Sequence, residues 1–399
     1  MRKNKEAYAS LMTEEMGKPI KQAKAEVEKC AWVCDYYAEN AAYFLQDEMI
    51  RTEAKKSFIA FRPLGVVLAI MPWNFPFWQV FRFAAPALMA GNGVLLKHSS
   101  NVSGCSLALE EIFELSGFPK GLFRSLLIRA EKVSDVIRHK FVQAVTLTGS
   151  TLAGRSVASI AGSVLKKTVL ELGGSDPYVI LEDADLDKAV KLCVAAKLLN
   201  GGQSCIAAKR FVVVDKIYEA FVAKFVEEMK SKKMGNPRDE KNDLGPQARP
   251  ELRDELHAQV LKSVAMGARL LLGGEIPPIH GAYYPPTILV DVDQGMPAFD
   301  EEIFGPVAAI IKVKDEEEAI KTANHSDFGL GAVVFTSDEG KGEKIAKYEL
   351  EAGCCFVNDF VKSDPRLPFG GIKQSGYGRE LSLLGIREFV NSKTVVVQS

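Results

Sequence analysis

The chain has 399 residues, of which 47% are hydrophobic and 25% are charged, the composition of an ordinary globular protein with a large core. Its 50 basic and 51 acidic residues nearly cancel, which argues against binding to nucleic acid or to an anionic membrane. No stretch approaches the ~20 apolar residues of a membrane span, and no signal-peptide core follows the charged N-terminus, so we expect a cytoplasmic protein of about two or three domains.

Helical and strand-like periodicities alternate along the first half of the chain. Small and apolar residues recur at helical spacing from 20 to 45, and from residue 60 onward short apolar runs alternate with helical stretches. This alternation predicts a parallel sheet covered on both faces, which binds ligands beyond the carboxyl ends of its strands. The predicted strands are 66–70, 94–97, 125–128 and 142–148, and the predicted helices lie near 76–90, 102–116, 132–139 and 151–161.

The second half repeats this alternation and predicts a second α/β unit. Segments 44–61 and 387–399 are strand-like but belong to neither series, so we expect them to pair as an accessory sheet or to meet a partner subunit. The predicted strands of the second unit are 211–214, 270–272, 307–313, 332–335 and 354–357, and its predicted helices lie near 217–234, 251–266, 315–323 and 340–350.

The seven cysteines fit a reducing compartment better than secretion. Their number is odd, and their spacing matches neither a disulfide framework nor a metal site, so no metal is expected. Cys354 and Cys355 lie in an apolar run that predicts a buried strand, where packing accounts for them without redox chemistry.

The first candidate catalytic residue, Asn74, lies between Pro72 and Pro76, which predict a rigid extended turn. Its side-chain N–H groups suit the stabilisation of a negatively charged oxygen in a transition state. Taken alone, the same motif also fits an asparagine with a purely structural role in a turn.

Two features predict a cofactor site. An apolar strand ends at Thr148, and residues 149–154 lead into a predicted helix whose first backbone N–H groups can hold a pyrophosphate. The segment lacks the pattern G-x-G-x-x-G, so a plain strand–turn–helix fits it as well. Lys97 ends an earlier strand and can reach an adenosine ribose or its 2′-phosphate, although a solvated lysine is the simpler interpretation.

The next candidate, Glu171, ends a strand-like run and is followed by Gly173 and Gly174. Partial desolvation at such a position raises the pKa of a carboxyl toward a value useful for a general base. From this segment alone, an exposed glutamate at a strand end is an equally good interpretation.

Cys205 ends a glycine-rich segment, and if Ser204 and Cys205 open a helix, its N-terminus lowers the pKa of the thiol. A lone buried cysteine is usually inert. Together with Asn74 and Glu171, however, Cys205 completes a set of nucleophile, base and amide donor. That set can add a thiolate to an aldehyde, pass a hydride to a nicotinamide and hydrolyse the resulting thioester.

In this order and setting, the motifs resemble those of the aldehyde dehydrogenase superfamily over nearly the whole chain. Within it the chain is most similar to the bacterial succinate-semialdehyde dehydrogenases of the shorter, Sad-like type, through residues 97–98, 170–177 and 244–256. The motifs that carry the resemblance are 72–76, Lys97, 149–150, 171–174, 202–205, 302–306 and 368–371.

The resemblance implies a role for each motif. Cys205 would be the nucleophile, Glu171 the base and Asn74 the oxyanion donor. Among the cofactor-binding residues, Glu302 would contact the nicotinamide ribose. The residues expected to contact NAD or NADP are Trp73, Lys97, Ser100, Gly149, Ser150, Glu302 and Phe304.

The resemblance also implies an α/β fold in three parts. A Rossmann-like NAD(P)-binding domain would comprise residues 1–43 and 62–172, and a second α/β catalytic domain would comprise residues 173–384. Residues 44–61 and 385–399 would form a small oligomerisation β-element. Members of the superfamily use it to form dimers or tetramers, so we expect a homo-oligomer.

Two departures from the superfamily pattern bear on the cofactor and on the start of the chain. Many NAD-preferring members carry a glutamate three residues after the lysine matched by Lys97, where this chain has Ser100. Without a carboxylate to repel a 2′-phosphate, NADP is acceptable as well as NAD. Members usually begin a few dozen residues earlier, and the sequence leaves open whether the shorter N-terminus is native.

Arg82, Trp78 and Ser363 are the expected substrate-binding residues. Arg82 matches an arginine with which similar semialdehyde dehydrogenases hold a distal carboxylate, although by itself it fits a salt bridge equally well. Leu199 stands where some relatives have a second arginine, and Ser363 or a neighbouring basic residue would replace that contact. Trp78 would line the channel unless it is a core aromatic residue.

The sequence thus predicts an NAD(P)-dependent aldehyde dehydrogenase that converts succinate semialdehyde to succinate. Another small or dicarboxylic semialdehyde, the CoA-acylating branch of the superfamily and a non-catalytic protein on this fold stay open as alternatives. The presence of Glu171 argues against CoA acylation, because hydrolysis of the thioester needs a base.

Overall fold

A computed structural model describes residues 1–398 as helices and strands that form four sheets. The helices are α1 (Lys5–Met16), α2 (Ile20–Phe44), α3 (Trp78–Met89), α4 (Ser103–Leu115), α5 (Val133–Arg138), α6 (Thr151–Ser163), α7 (Leu186–Leu198), α8 (Asp215–Lys230), α9 (Pro250–Ala265), α10 (Pro297–Asp300), α11 (Glu316–Asn324), α12 (Glu339–Tyr348) and α13 (Ser382–Glu388). The strands are β1 (Glu48–Met49), β2 (Lys56–Pro63), β3 (Val66–Met71), β4 (Gly93–His98), β5 (Phe123–Ser125), β6 (Val142–Thr148), β7 (Lys167–Glu171), β8 (Asp176–Ile180), β9 (Ala208–Val214), β10 (Arg269–Leu272), β11 (Thr287–Val290), β12 (Val307–Val313), β13 (Phe328–Gly329), β14 (Gly331–Phe335), β15 (Cys354–Val357), β16 (Ile372–Lys373), β17 (Gly376–Tyr377) and β18 (Val390–Val397).

The first large sheet confirms the predicted parallel arrangement. Its strand order is β17-β7-β6-β3-β4-β5, and all neighbours are parallel except β17, which pairs antiparallel with β7. The strand predicted at 125–128 is wrong, because the structure places it at Phe123–Ser125. Leu96 of β4 pairs with Ser125, so the parallel ladder ends there although the apolar run continues.

The second large sheet has the order β10-β11-β12-β9-β8-β14-β15, parallel except for the pairing of β10 with β11. Every residue of β9 is buried, as expected for a strand covered on both faces. Sequence reasoning missed α7, β8 and β11. A signal for α7 was present, since Asp185 caps it by accepting hydrogen bonds from the backbone N–H groups of Asp187 and Lys188.

Two antiparallel segments from distant parts of the chain form a small third sheet, β1-β2-β18. Its long pairing runs from Val390 opposite Pro63 to Val397 opposite Lys56, which confirms that the two strand-like segments pair. The outer strand leaves Val396 and Val397 largely exposed. Oligomer formation through this sheet and the domain boundaries inferred from the resemblance stay predictions.

A short connection joins the two large sheets. Residues 172–175 connect the carboxyl end of β7 to the start of β8. A Cβ on Gly174 in this connection would lie 2.7 Å from the carbonyl oxygen of Cys205, just before β9. The candidate residues collect at this junction. Within residues 1–398, no helix has both the length and the apolar character needed to cross a membrane.

Candidate active site

Cys205 lies in a turn between residues 199–202, which form a 3-10 segment, and β9. The predicted helix opening at Cys205 is therefore wrong. Gly202 makes the turn possible, because its φ is +75° and a Cβ there would come within 2.1 Å of the carbonyl oxygen of Gly305. The buried ammonium of Lys209 then holds the turn by donating to the carbonyl oxygens of Ser204 (2.9 Å) and Cys205 (2.6 Å).

The thiol of Cys205 is half-buried and mostly protonated at neutral pH. Burial raises its pKa to about 12, while the positive charges of Arg82 and Lys209 act in the opposite direction. The sequence prediction of a thiol pKa lowered by a helix N-terminus is therefore wrong, because burial raises the pKa and the neighbouring cations oppose that shift only in part. Lys209 follows the motif by four residues, and its lysine side chain was the only sequence signal for this role.

Asn74 is held beside the cysteine turn, and one of its two amide hydrogens has no acceptor in the described chain. Its Nδ2 donates to the carbonyl oxygen of Gln203 (3.0 Å), and its Oδ1 accepts from Nε2 of Gln79 (3.0 Å), which fixes the amide orientation. A carboxamide has two N–H donors, so one remains. Within residues 1–398 the backbone N–H of Cys205 also has no acceptor. The two unused donors therefore both belong to or adjoin the cysteine turn, where an oxyanion site needs them.

Glu171 ends β7 as predicted, but it is buried rather than exposed at the strand end. Neither carboxylate oxygen has a hydrogen-bond partner in the described chain. Burial therefore raises the pKa of Glu171 well above its usual range, against the opposing charge of Arg82. The carboxylate packs against Gly370, where an added Cβ would lie 2.7 Å from Oε1. Burial thus favours the protonated form of this carboxyl, which makes its carboxylate a stronger base than an exposed one.

Arg82, which the sequence predicts as a carboxylate-binding group, also has an acidic partner inside the protein. Its Nε forms a buried ion pair with Glu380, and its Nη2 donates to the hydroxyl of Thr148 at 3.2 Å. The guanidinium carbon also lies 4.7 Å from the centre of the Phe369 ring. Glu380 is 298 residues away in sequence, so no local pattern revealed this partner. Arg82 contributes positive charge near the thiol, and Glu380 and Thr148 engage two of its five N–H groups.

A cavity of about 290 Å³ opens between the two large sheets at the cysteine turn. The start of α6 borders it, where Ser150 caps the helix by accepting from the backbone N–H of Ala153. Helix starts of this kind bind phosphate groups. Sequence reasoning missed Leu252 and Glu255, which α9 contributes. The sequence-predicted residues that line this cavity are Trp73, Asn74, Gly149, Ser150, Cys205, Glu302 and Phe304.

Glu302 is tied to the turn that joins the two sheets. Its Oε1 accepts from the backbone N–H of Gly174 (3.0 Å) and lies 3.8 Å from Nζ of Lys209. Burial raises the pKa of Glu302, and Lys209 opposes this shift. The second oxygen, Oε2, faces Gly173, where an added Cβ would meet it at 2.7 Å. One carboxylate oxygen is thus available to a ligand in the cavity.

A second cavity, of about 340 Å³, lies at the ends of β4 and β5. Lys97 and Ser100 line it, together with Arg129 and Glu131, which lie beyond the strand predicted at 125–128 and which sequence reasoning did not select. Burial lowers the pKa of Lys97, and Glu131 partly offsets the effect. The cavity therefore presents two cations and a serine hydroxyl to an anionic group.

His98 borders the second cavity, but its ring nitrogens are used by the backbone. Nε2 lies 2.8 Å from the carbonyl oxygen of Pro76, and Nδ1 accepts from the backbone N–H of Ser99 at 3.0 Å. Burial lowers the pKa of His98 to about 4, so the ring is neutral and one N–H suffices. His98 ties the end of β4 to the loop that carries Asn74.

A third, narrow cavity of about 70 Å³ reaches the other side of Cys205. By the criterion that one water needs about 10–15 Å³, it accommodates a few small groups but no bulky ligand. Trp78, Ser363 and Arg82, the predicted substrate-binding residues, all line it, and so does Leu199. Nε1 of Trp78 donates to Oγ of Ser363 at 3.1 Å, which joins the helix and loop sides of the cavity.

The comparisons with known proteins agree with this geometry. Residues 1–395 match the sequence profile of the aldehyde dehydrogenase family. The chain is 53% identical over 395 residues to a probable succinate-semialdehyde dehydrogenase, NADP(+), of Synechocystis sp., covering 99% of this chain and 87% of that protein. It is 52% identical over 395 residues to the succinate semialdehyde dehydrogenase Sad, NAD(P)+, of Escherichia coli, covering 99% of this chain and 85% of that protein.

A solved structure matches as closely in three dimensions. The crystal structure of succinic semialdehyde dehydrogenase from Streptococcus pyogenes in complex with NADP+ superposes with a TM-score of 0.98 at 40% identity. The match covers 100% of this chain and 87% of that one. The overall architecture of the chain, and not only its motifs, is therefore that of these proteins.

Proposed function

Because the chain belongs to the aldehyde dehydrogenase family, we propose that it oxidises succinate semialdehyde to succinate with NADP+ or NAD+ as the hydride acceptor. The proposal rests on the position of the Cys205 sulfur, because two cavities meet at this residue. Cys205 lines both the cavity bordered by the start of α6 and the narrow third cavity. A nucleophile placed between a cofactor site and a substrate site is what the reaction requires.

The chain's own residues account for the covalent steps. The thiolate of Cys205 adds to the aldehyde carbon, and the carbonyl oxygen takes the negative charge. The free N–H of Asn74 and the backbone N–H of Cys205 stabilise that oxygen. Loss of a hydride from the same carbon leaves a thioester on Cys205. A water deprotonated by Glu171 then attacks the thioester carbon, the C–S bond breaks, and the acid and the thiol are released.

The residues present fit a nicotinamide dinucleotide, which supplies the hydride acceptor when bound. The helix start at Gly149 and Ser150 suits the pyrophosphate, and the available oxygen of Glu302 suits a ribose hydroxyl. Trp73 and Phe304 pack edge to face, 5.9 Å between centroids, and form an apolar wall of the same cavity. These assignments are proposals that rest on cavity geometry and on the chemistry of the donors.

We propose that NADP is accepted because the second cavity carries no carboxylate at the position of Ser100. Lys97 and Arg129 would neutralise a ribose 2′-phosphate, whereas Glu131 is the only nearby acid among the residues that line this cavity. A hydroxyl at Ser100 can also donate to either a phosphate or a ribose hydroxyl, so NAD is not excluded by repulsion.

Localisation and assembly are further proposals. We infer that the protein acts in the cytoplasm, as its odd number of cysteines suggests. We also propose a homodimer or homotetramer that assembles through the exposed edge of β18.

The decisive experiment follows NADPH and NADH formation by the purified protein with succinate semialdehyde, butanal and each cofactor. We expect wild type to turn over the semialdehyde, Cys205→Ala to lose hydride transfer by at least about 1,000-fold, and Glu171→Gln to release one equivalent of reduced cofactor and then stall as acyl-enzyme. Mass spectrometry of the intact protein detects that acyl-enzyme.

Two controls separate the rival interpretations. Addition of CoA tests for a thioester product, which would indicate the CoA-acylating branch rather than hydrolysis. Cofactor binding without turnover of any aldehyde would indicate a non-catalytic member of the family. Normal turnover in Cys205→Ala would refute the proposed mechanism.

A further inference from the structure

Lys29 is a cation that no sequence motif singles out. It lies on α2, far from every motif in the chain, yet it lines the narrow cavity that also contains Cys205. Its Nζ donates to Oγ of Ser363 at 2.8 Å and lies 4.3 Å from the centre of the Trp78 ring. The ammonium is thus held inside the cavity by the two residues already proposed to contact substrate.

Of the three basic residues that line the narrow cavity, Lys29 alone has no acidic partner within residues 1–398. Arg82 is paired with Glu380, and Lys362 is paired with Asp359. Within residues 1–398, no carboxylate oxygen lies within 4 Å of Nζ of Lys29, and its only hydrogen bond goes to a neutral hydroxyl. A desolvated charge without a counter-ion raises the free energy of the folded protein. A bound anion would lower it, because no carboxylate of the described chain does so.

Ser363 carries a second unused donor at the same place. Its Oγ accepts one hydrogen bond from Lys29 at 2.8 Å and another from Nε1 of Trp78 at 3.1 Å. A hydroxyl oxygen accepts two hydrogen bonds and donates one. With both acceptor positions occupied, the O–H of Ser363 is available only as a donor, and it has no acceptor in the described chain. Lys29 likewise keeps two of its three N–H groups.

We propose that Lys29, with Ser363 beside it, binds the distal carboxylate of the semialdehyde while Cys205 attacks the aldehyde at the other end. The inference rests on the proposed function and adds the residue that selects for charge. An ammonium and a hydroxyl that converge as donors suit a carboxylate oxygen. The small volume of the cavity favours a short chain between the two ends of the substrate.

The test compares kcat/KM for succinate semialdehyde with kcat/KM for butanal, an uncharged aldehyde of equal carbon number. We expect Lys29→Met to lower the ratio of the two values by about 30-fold or more, mainly through KM for the semialdehyde, and Ser363→Ala to lower it by about 5-fold. Lys29→Arg keeps the charge and should restore most of the ratio. Lys21→Met, at an exposed lysine of the same helix, is the matched control and should leave the ratio unchanged.

A pH profile gives a readout that a merely structural lysine would not move. Burial, and then the positive charge of Arg82, lower the pKa of Lys29 to about 8, while Cys30, Glu26 and Asp364 act in the opposite direction. Because the ammonium is lost as pH rises through that value and the substrate carboxylate stays ionised, the kcat/KM ratio should fall above pH 8. In Lys29→Arg the ratio should stay flat to pH 10.

The outcomes separate this inference from the proposed function. If wild type does not oxidise succinate semialdehyde, the proposed function fails and takes the inference with it. If wild type oxidises it but Lys29→Met slows both aldehydes equally, only the inference is overturned. A larger fall of the ratio in Lys362→Met than in Lys29→Met would move the carboxylate site to the exposed loop lysine and would also overturn it.

Discussion

The thiol of Cys205, the proposed nucleophile, is mostly protonated at neutral pH, and its environment has to change before the thiolate forms in quantity. The sulfur lies in a half-buried position where burial raises the pKa to about 12, and Arg82 and Lys209 only partly oppose that effect. A thiolate is the reactive form, so most molecules at neutral pH hold the inert thiol. This arrangement protects the sulfur from oxidation, because susceptibility follows the thiolate fraction.

The protonated thiol leads to a prediction for the pH dependence of catalysis. Below the thiol pKa the thiolate fraction rises about tenfold for each pH unit. We therefore expect kcat/KM for butanal at saturating cofactor to rise with a slope near +1 in a plot of log kcat/KM against pH from about 7 to 9. Butanal is used because its binding does not depend on the charge of Lys29. A profile that is flat over this range would show that the thiol already ionises below pH 7 in the loaded enzyme.

At the scale of elements, α2 controls the start of α3 through a single carboxylate. Oε1 of Glu26 accepts hydrogen bonds from the backbone N–H groups of Phe77 and Trp78, both at 2.9 Å. Its other oxygen forms a buried ion pair with Lys18, whose Nζ also lies 3.8 Å from the centre of the Phe75 ring. One side chain thereby satisfies unpaired donors at a helix start and fixes the loop that carries the oxyanion donor.

A double-mutant cycle tests this link. Glu26→Gln leaves the Lys18 ammonium buried without a counter-ion, at a cost of about 3–5 kcal/mol, and Lys18→Met leaves the opposite charge. We expect the double variant to lose less in apparent melting temperature than the sum of the two single variants, because the unpaired charges are absent. Lys24→Met, on the same helix, is the control and should change the melting temperature little. Additive losses would contradict a coupled pair.

At the scale of the whole molecule, the proposed cofactor would extend over two cavities. Each cavity lies at the end of a different strand of the first large sheet. Ser150 at the end of β6 borders the first, and Lys97 at the end of β4 borders the second. Both lie at the carboxyl edge of the first sheet, where ligands bind in open parallel sheets. A cofactor bound across this edge would contact both Lys97 and Ser150, which are distant in sequence but lie at the same edge of one sheet.

This geometry predicts a cofactor-specific gain in stability. A ligand present at about 100 times its Kd stabilises the folded state by about 2.7 kcal/mol. We expect NADP+ to raise the apparent melting temperature, and Ser100→Glu to reduce that effect while it preserves the effect of NAD+, because the new carboxylate repels only the 2′-phosphate. Thermal scans with each cofactor measure both shifts. Equal losses for NADP+ and NAD+ would refute a role of Ser100 in phosphate tolerance.

The features that sequence reasoning predicted well are those encoded within a few residues. The turn at Asn74, the end of β7 at Glu171 and the glycine-rich segment before Cys205 each carry their own local signals. Gly202 is the clearest case, since only a residue without Cβ fits against the carbonyl oxygen of Gly305. Periodicity located most strands and helices for the same reason.

The features that it missed depend on contacts between distant segments. The partner of Arg82 is Glu380, and the position of Lys29 follows from the packing of α2 against α3 and the loop that carries Ser363. No spacing along the chain encodes such pairs. The helix expected at Cys205 failed for a related reason, because the buried Lys209 binds the carbonyl oxygens of the turn and directs the chain into β9.

The short strand β17 has a consequence for how the protein is made. It lies beside β7, with Gly376 opposite Glu171, and the backbone N–H of Leu172 donates to the carbonyl oxygen of Ser375. The strand that bears the general base therefore gains its outer neighbour only after nearly the entire polypeptide has left the ribosome. Products of interrupted translation that end at residue 360 lack this neighbour, so the strand that bears Glu171 would lack its outer partner in them.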